Sequence, residues 1–334
     1  MVNDRTGFSL WADFIERDFI STKLRDMIDN GVVDGATSNP SIFANAITSS
    51  SAYKEQLQEL EGKSAKEKYE ALAIADIKAA AQELRGCYDT GYSGYVSIEV
   101  DPFLSNDAKG TVEEGIRLFK AINEPNVMIK VPATEAGYKA MEELTSRGIN
   151  VNATLIFSPE QAKKAQEAMK RGIDSFTVYS DDGRIEGVIS IFVSRFDRKL
   201  DSRLKELDLP TAQTGILNAA KIYNELSNCK EPAIKPLFAS TGVKPEQGLP
   251  TDYYVTELCA KHSINTAPID TIEAYEKSEN RGKLALPIDE KIIDTHFKAL
   301  EVAGINMQEV YNELMQEGLE AFEKAFADML KAIE

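Results

Sequence analysis

The sequence predicts an α/β fold, namely a (β/α)8 TIM barrel with helical insertions and an extra C-terminal helix. Eight short β-like runs alternate with helical patterns, and no strand pattern recurs after Pro287. The chain has 334 residues, which exceeds the roughly 250 residues typical of this fold. The β-like runs are 8–14, 35–39, 95–101, 127–132, 150–157, 187–194, 236–241 and 265–269. Because no linker rich in Gly, Ser or Pro interrupts them, residues 1–334 are predicted to form a single domain.

The intervals between these runs contain good helix formers with apolar spacing of three and four, as at 66–85 and 159–171. Ser158 is suited to cap the second of these helices and Pro159 to its first turn. Longer insertions are expected at 40–65 and at 174–186, and the latter is polar and loop-like.

The C-terminal segment differs from the rest of the chain. Apolar residues recur at helical spacing and predict an amphipathic helix over about 306–333. Its apolar side is expected to pack across the barrel or at a subunit contact, so a homodimer is left open.

Composition disfavours several partners and locations. With 54 acidic and 38 basic residues, the formal net charge is -16, which argues against nucleic acid and anionic membrane surfaces as partners. No signal-peptide pattern opens the chain, and no apolar run approaches the roughly 18 residues of a membrane-spanning helix. The three cysteines lie far apart, which predicts reduced thiols and a cytoplasmic location.

Metal and cofactor chemistry are also disfavoured. Neither of the two histidines lies in a metal-ligand spacing, and the glycine-rich fingerprints of dinucleotide and P-loop sites are absent from the sequence. We therefore predict no metal and no cofactor. The chemistry must use Lys, Asp, Glu and hydroxyl side chains.

Lys130 is the one charged residue in the otherwise apolar run 127–132. Lysine is rarely buried unless it is paired, and an unpaired buried ammonium tends to lose its proton. A neutral amine in a dry pocket is a nucleophile. The alternative is that Lys130 packs its aliphatic stem at the strand end and extends its ammonium into water.

Strand parity predicts which side chains point into the barrel. On the third strand Asp101 is assigned inward together with Glu99, whereas on the fifth strand Leu155 is assigned to the outer face. Phe192 is assigned inward on the sixth strand. The inward polar side chains, contributed by six strands, are Asp13, Asn39, Glu99, Lys130, Asn152, Thr154 and Ser190.

Schiff-base chemistry requires this set of groups: an amine, proton carriers, and hydroxyl or amide groups that orient a polyol. For Asp13 and Asn39, which lie near strand ends, a role as helix caps is the alternative. The segments around these residues resemble the transaldolases in order and spacing, and in particular a longer-chain bacterial branch of that family. They are Asp13, 37–42 (TSNPSI), 96–100 (VSIEV), 129–134 (IKVPAT), 152–158 (NATLIFS) and 192–195 (FVSR).

The resemblance implies a role for each inward side chain. Lys130 would form the Schiff base with a ketose donor, and Asp13 would move the hydroxyl proton during carbon–carbon cleavage. Glu99 and Thr154 would hold a water that relays protons at the imine carbon. The dihydroxyacetone unit would be bound by Asn39, Asn152 and Ser190, and Phe192 would be a further substrate-binding residue.

For the substrate phosphate, the resemblance implies Arg195 and Ser240. Many members carry a second arginine two residues after that serine, but this chain has Gly242 there, with Lys244 two residues further on. Lysine can serve as a point charge but not as a bidentate clamp. The alternative is that Lys244 is a solvated loop residue.

The implied activity belongs to the pentose phosphate pathway, with sugar phosphates as the small-molecule partners. A dihydroxyacetone unit would pass from sedoheptulose 7-phosphate or fructose 6-phosphate to glyceraldehyde 3-phosphate or erythrose 4-phosphate. One alternative is an aldolase of the same superfamily, whose members tend to carry Gln and Tyr in place of Glu99 and Phe192. A non-catalytic sugar-phosphate binding barrel is another alternative, but it would have no use for a buried Lys130.

Overall fold

The predicted strands form one closed parallel barrel. The structure, a computed structural model, describes residues 6–91, 93–177, 184–229 and 231–334. Strand order follows the chain, and the first strand pairs with both the second and the eighth. The strands are β1 (Ser9–Ala12), β2 (Gly35–Thr37), β3 (Tyr95–Glu99), β4 (Val127–Pro132), β5 (Asn150–Ile156), β6 (Gly187–Phe192), β7 (Ile234–Ala239) and β8 (Ile264–Ala267). The predicted (β/α)8 barrel is therefore confirmed.

Helices α1 to α12 lie between consecutive strands, and α13 to α15 follow the last strand. They are α1 (Arg17–Phe19), α2 (Arg25–Asp29), α3 (Pro40–Ser49), α4 (Lys54–Glu59), α5 (Ala65–Glu83), α6 (Arg85–Asp89), α7 (Ala108–Ile122), α8 (Glu135–Ser146), α9 (Pro159–Thr177), α10 (Ser194–Glu206), α11 (Thr214–Asn228), α12 (Tyr253–Glu257), α13 (Ile269–Glu276), α14 (Glu290–Val302) and α15 (Met307–Ala332). No helix of the described ranges is long and apolar enough to cross a membrane.

Both predicted insertions, 40–65 and 174–186, overlap helices of the structure. The insertion at 40–65 contains α3 and α4. The one at 174–186 overlaps the end of α9, and its residues 178–183 lie outside the described residues. The Ser158 hydroxyl accepts a hydrogen bond from the Gln161 N–H at 3.1 Å, which confirms Ser158 as the cap of α9.

The alternation of side chains along the strands creates two buried layers. Val96 and Ile98 belong to the apolar layer between the strands and the helices. Met128 and Phe192 belong to a second apolar cluster, which includes the barrel interior. This alternation is the expected consequence of the two-residue period of a strand.

Two parity predictions are wrong. Leu155 belongs to the interior cluster, because a register shift between Ala153 and Ile156 interrupts the alternation and Leu155 adopts φ 57°. Asp101 lies beyond the end of β3 and turns outward, where its carboxylate accepts a hydrogen bond from Lys66 Nζ at 2.6 Å.

Helix α15 lies across the C-terminal end of the barrel. The ring of Phe322 is 5.8 Å from Lys130 Nζ, and Gly318 approaches β5 so closely that a Cβ there would lie 3.0 Å from Leu155 Cδ2. At the end of the chain, Lys68 Nζ donates to the carbonyls of Ile333 and Glu334 at 3.0 and 2.8 Å. Of the two packing arrangements expected for this helix, packing across the barrel is confirmed.

Candidate active site

Lys130 lies in the barrel interior near the C-terminal end of β4. The strand register places it beside Glu99 on β3 and Asn152 on β5. Its Nζ donates to the Ser38 carbonyl at 3.2 Å and lies 3.5 Å from Glu99 Oε2, an ion-pair distance rather than a hydrogen bond. Because Lys130 is only 5% exposed, the alternative in which its ammonium extends into water is excluded.

Glu99 is the carboxyl group paired with Lys130. Burial raises the pKa of Glu99 to about 7; Lys130 opposes this shift and Asp13 adds to it. A carboxyl with a pKa near neutrality can both give and take a proton at physiological pH, which suits an acid–base catalyst.

Two buried oxygen atoms near Lys130 have no hydrogen-bond partner among the described residues. They are Glu99 Oε2 on β3 and Thr154 Oγ1 on β5, so they come from the strands on either side of β4. Buried polar atoms are nearly always paired, either within the protein or with ordered water. Each of these atoms is therefore free to form a hydrogen bond with a small polar ligand in the barrel interior.

Asp13 follows β1 and carries the second carboxyl of the site. Thr37 Oγ1 donates to Asp13 Oδ1 at 2.7 Å and also lies 2.7 Å from Thr266 Oγ1. Burial raises the pKa of Asp13, whereas the positive charge of Lys130 and the Thr37 hydrogen bond lower it. The influence of Lys130 places this carboxyl within electrostatic reach of the amine.

The alternative role as a helix cap is wrong for Asp13, whereas Asn39 does cap a helix through its side-chain oxygen. Helix α1 is capped by Glu16, whose carboxylate accepts from the Phe19 N–H at 2.9 Å. Asn39 Oδ1 accepts from the Ile42 N–H at 3.0 Å and caps α3. The Asn39 amide nitrogen makes no hydrogen bond to any described residue, so it can still donate to a ligand.

A row of buried hydrogen bonds fixes Asn152. Ser190 Oγ donates to Asn152 Oδ1 at 2.7 Å, and Asn152 Nδ2 donates to Ser97 Oγ at 3.0 Å. All three side chains are buried. The row therefore joins β6, β5 and β3 through the interior and presents an ordered amide and hydroxyl beside Lys130.

Arg195 lies in the first turn of α10, directly after β6. Its guanidinium lies over the ring of Phe192, 5.1 Å from the centroid, and makes no salt bridge with any described residue. Burial and the neighbouring Arg198 lower the pKa of Arg195 to about 10, against the influence of Glu317. A partly buried arginine without a salt-bridge partner among the described residues, in a chain of net charge -16, is suited to bind an anion.

Ser240 is brought beside the start of α10. It adopts φ 55°, a backbone conformation that is uncommon for residues other than glycine and is enriched at functional sites. Its hydroxyl oxygen lies 3.1 Å from Ser194 Oγ. The hydroxyl of Ser240, directly after β7, thus lies beside that of Ser194, which is the first residue of α10 and precedes Arg195.

The structure does not place Lys244 in contact with this group. Lys244 is exposed, and its side chain has no hydrogen-bond partner among the described residues. Gly242 packs against Pro268, and a Cβ at Gly242 would lie 2.9 Å from Pro268 Cγ. An arginine at position 242 would therefore require this loop to move, which gives a physical reason for the departure from the family pattern.

Comparison with known proteins agrees with this geometry. Residues 10–333 match the family model described as transaldolase/fructose-6-phosphate aldolase. The chain belongs to this family. A transaldolase from Helicobacter pylori (strain ATCC 700392 / 26695) is 43% identical over 332 residues, which is 97% of this chain and 99% of the relative. A transaldolase from Campylobacter jejuni subsp. jejuni serotype O:23/36 (strain 81-176) is 44% identical over 333 residues, with 98% and 99% covered.

These similarities confirm the transaldolase resemblance seen in the motifs and the prediction of a transferase enzyme. In this member of the transaldolase family, sequence reasoning missed two groups near the site. Arg198 and Arg195 line the same cavity, which has a volume of about 370 Å³. Their spacing of three residues on one predicted helix could have shown that they lie on the same side of it. Phe322 was visible only as part of an apolar stripe, which does not reveal what it covers.

Proposed function

We propose that this protein is a transaldolase that transfers a dihydroxyacetone unit from sedoheptulose 7-phosphate or fructose 6-phosphate to glyceraldehyde 3-phosphate or erythrose 4-phosphate. The proposal is carried by one observation: the buried amine of Lys130 lies 3.5 Å from a buried carboxyl and within the electrostatic influence of a second. Two relatives named transaldolase, which match this chain along almost their whole length, support the same reaction.

In the first step Lys130 Nζ attacks the ketose carbonyl carbon. The carbonyl oxygen leaves as water, and a protonated imine remains on Lys130. Glu99 supplies the proton with which this oxygen leaves. Thr154 and Glu99 together hold the water that relays protons at the imine carbon. The raised pKa of Glu99 supports this assignment, because a carboxyl near neutrality can take the proton back when water later hydrolyses the imine.

In the second step Asp13 removes the proton from the hydroxyl on the departing carbon of the bond that breaks, and this carbon becomes the aldehyde of the released aldose. The bonding electrons move to the imine nitrogen, the aldose departs, and an enamine of dihydroxyacetone remains on Lys130. The enamine then attacks the aldehyde of the acceptor, and Asp13 returns the proton to the new hydroxyl. The dihydroxyacetone hydroxyls are bound by Asn39, Asn152 and Ser190, with Phe192 as an apolar wall.

The substrate phosphate binds Arg195 and Ser240 at the start of α10, with Lys244 as the additional charge. Arg195→Lys is expected to lower kcat/KM for fructose 6-phosphate by about ten- to a hundredfold, because a bidentate charged contact is lost. Remote phosphate binding also orients the reacting carbons, so kcat should fall as well as KM rise.

Lys244→Ala, compared with Arg198→Ala, tests which residue supplies the second charge. We expect Lys244→Ala to weaken phosphorylated donors by several-fold while unphosphorylated dihydroxyacetone donors are unaffected, and Lys244→Arg to retain activity. Equal effects of Lys244→Ala on both donor types would assign it no role. A selective loss in Arg198→Ala alone would transfer the role to Arg198.

A transfer assay separates this function from the aldolase alternative. With fructose 6-phosphate and erythrose 4-phosphate, the purified protein should form sedoheptulose 7-phosphate faster than it releases free dihydroxyacetone. Release of free dihydroxyacetone as the main product would instead favour an aldolase. Glu99 and Phe192 occupy the two positions at which such aldolases tend to carry Gln and Tyr, which supports transfer.

We also propose that residues 1–334 fold as one domain and that the enzyme acts in the cytoplasm, in the pentose phosphate pathway. Cys87, Cys229 and Cys259 are all free thiols, which agrees with a reducing compartment.

A further inference from the structure

A buried hydrogen-bond chain joins helix α10 to the loop that follows β7. Asp197, two residues after Arg195, accepts at Oδ2 from the Tyr254 hydroxyl at 2.8 Å. The Tyr254 oxygen accepts from Gln247 Nε2 at 2.8 Å, and Gln247 Oε1 accepts from the Lys244 N–H at 2.9 Å. One continuous path therefore leads from the helix of Arg195 to the backbone of Lys244.

The inner end of this chain is rigid. Asp197 and Tyr254 are both fully buried. Asp197 Oδ1 also accepts from the Gly215 N–H at 2.9 Å, and Gly215 packs so tightly that a Cβ would lie 2.3 Å from the Val193 carbonyl oxygen. Burial raises the pKa of Asp197 to about 7, against the Gly215 and Tyr254 hydrogen bonds. A buried carboxyl is costly unless it is hydrogen-bonded, and here each oxygen of Asp197 accepts a hydrogen bond.

The outer end has few other attachments. Thr241 is held by its hydroxyl, which donates to Asn265 Oδ1 at 2.8 Å and to the Thr266 carbonyl at 2.9 Å. Beyond it, across the ranges that the structure describes, the only hydrogen bond that connects residues 242–248 to the rest of the protein is the one from Gln247 to Tyr254. Val243 packs against the apolar layer and Gly242 against Pro268, so the Gln247–Tyr254 contact is the polar attachment of a loop that apolar packing also holds.

We propose that Tyr254 and Gln247 are positioning residues for the phosphate site: their hydrogen bonds hold the Lys244 loop at a fixed separation from Arg195. This inference rests on the proposed function, in which Arg195 and Lys244 bind one phosphate group. The chain would let a loop lysine replace an arginine that the Gly242 position cannot accommodate. The ligand class is the dianionic phosphate ester of a sugar.

Tyr254→Phe tests the inference, because it keeps the ring and removes only the hydroxyl. We expect KM for fructose 6-phosphate to rise about three- to tenfold and kcat to change little, while kcat/KM for free fructose as donor stays at the wild-type value. Inorganic phosphate should also bind more weakly in calorimetry, a readout that does not depend on turnover.

Tyr253→Phe is the matched control. The Tyr253 hydroxyl donates to the Ala212 carbonyl at 3.0 Å, outside the chain, and its ring packs 5.2 Å from that of Tyr254. This control should leave phosphate binding and both donors at wild-type values. An equal loss in the two variants would assign the effect to general destabilisation and overturn the inference.

A variant at the outer end guards against misfolding. Gln247→Met removes the hydrogen bonds of Gln247 to Tyr254 and Lys244 without altering the buried carboxyl of Asp197. It should cause the same selective loss of affinity for phosphorylated substrate, even if Tyr254→Phe does not fold. Wild-type phosphate affinity in Gln247→Met would overturn the inference. The failure of the proposed function is distinguishable, because it would show as a wild-type protein without transfer activity, whereas failure of the inference alone leaves that activity intact.

Discussion

Lys130→Met is expected to reduce transfer activity by about 10⁴-fold or more, because Lys130 is the only buried lysine among the described residues and loss of a nucleophile has effects of this order. Methionine is similar in length and apolar, so it fits the same buried space. Removal of the ammonium leaves Glu99 without a charged partner, but Glu99 can become neutral at little cost because its pKa already lies at about 7. The fold should therefore survive, as circular dichroism would show.

The barrel offers a matched control for this variant. At its N-terminal end Lys235 Nζ lies 2.8 Å from Glu186 Oε1, so a second lysine–glutamate pair occurs far from the proposed chemistry. Lys235→Met should retain wild-type turnover. A comparable loss in both variants would mean that the effect of Lys130→Met reflects damage to the barrel rather than to the reaction.

Glu99→Gln is expected to slow hydrolysis of the covalent intermediate by about 10²- to 10⁴-fold, because glutamine keeps the shape but cannot accept a proton from water. The wild-type rate should fall as the pH is lowered through about 7. The sign follows from the raised pKa: below this value Glu99 is protonated and cannot act as a base, and above it Glu99 is ionised. Quenched single-turnover measurements between pH 6 and 8.5 would give both rates.

In Glu99→Gln the slowed hydrolysis rate should not change with pH near 7. In the control Glu186→Gln the hydrolysis rate should depend on pH as in the wild-type protein. Glu186 is also a buried glutamate paired with a lysine, so the comparison holds burial and pairing nearly constant. A wild-type hydrolysis rate in Glu99→Gln would remove Glu99 from the proposed mechanism.

Much of the barrel was predictable because its strands have a simple period. An inward polar residue such as Lys130 or Asn152 interrupts an apolar run, and the two-residue alternation then assigns its face. The same alternation failed at Leu155, because a local register shift depends on neighbouring strands that a single strand pattern does not contain. It failed at Asp101 because the strand ends two residues earlier.

Tertiary placement of loops and of the last helix was not predictable from pattern. An amphipathic stripe shows that one side of α15 is buried, but it does not show that Phe322 lies over Lys130. Likewise, the sequence places Lys244 near Ser240 along the chain, but it does not show that Gln247 in the same loop donates a hydrogen bond to Tyr254 of α12. Such contacts between distant segments leave no local signal.

Borohydride trapping tests the central claim most directly. Borohydride added together with fructose 6-phosphate should reduce the imine to a stable secondary amine and leave a dihydroxyacetone-derived adduct. Mass spectrometry should locate this adduct on the peptide that contains Lys130, and the Lys130→Met variant should remain unlabelled. The absence of an adduct in the wild-type protein, or an adduct on another lysine such as Lys235, would contradict the proposed mechanism.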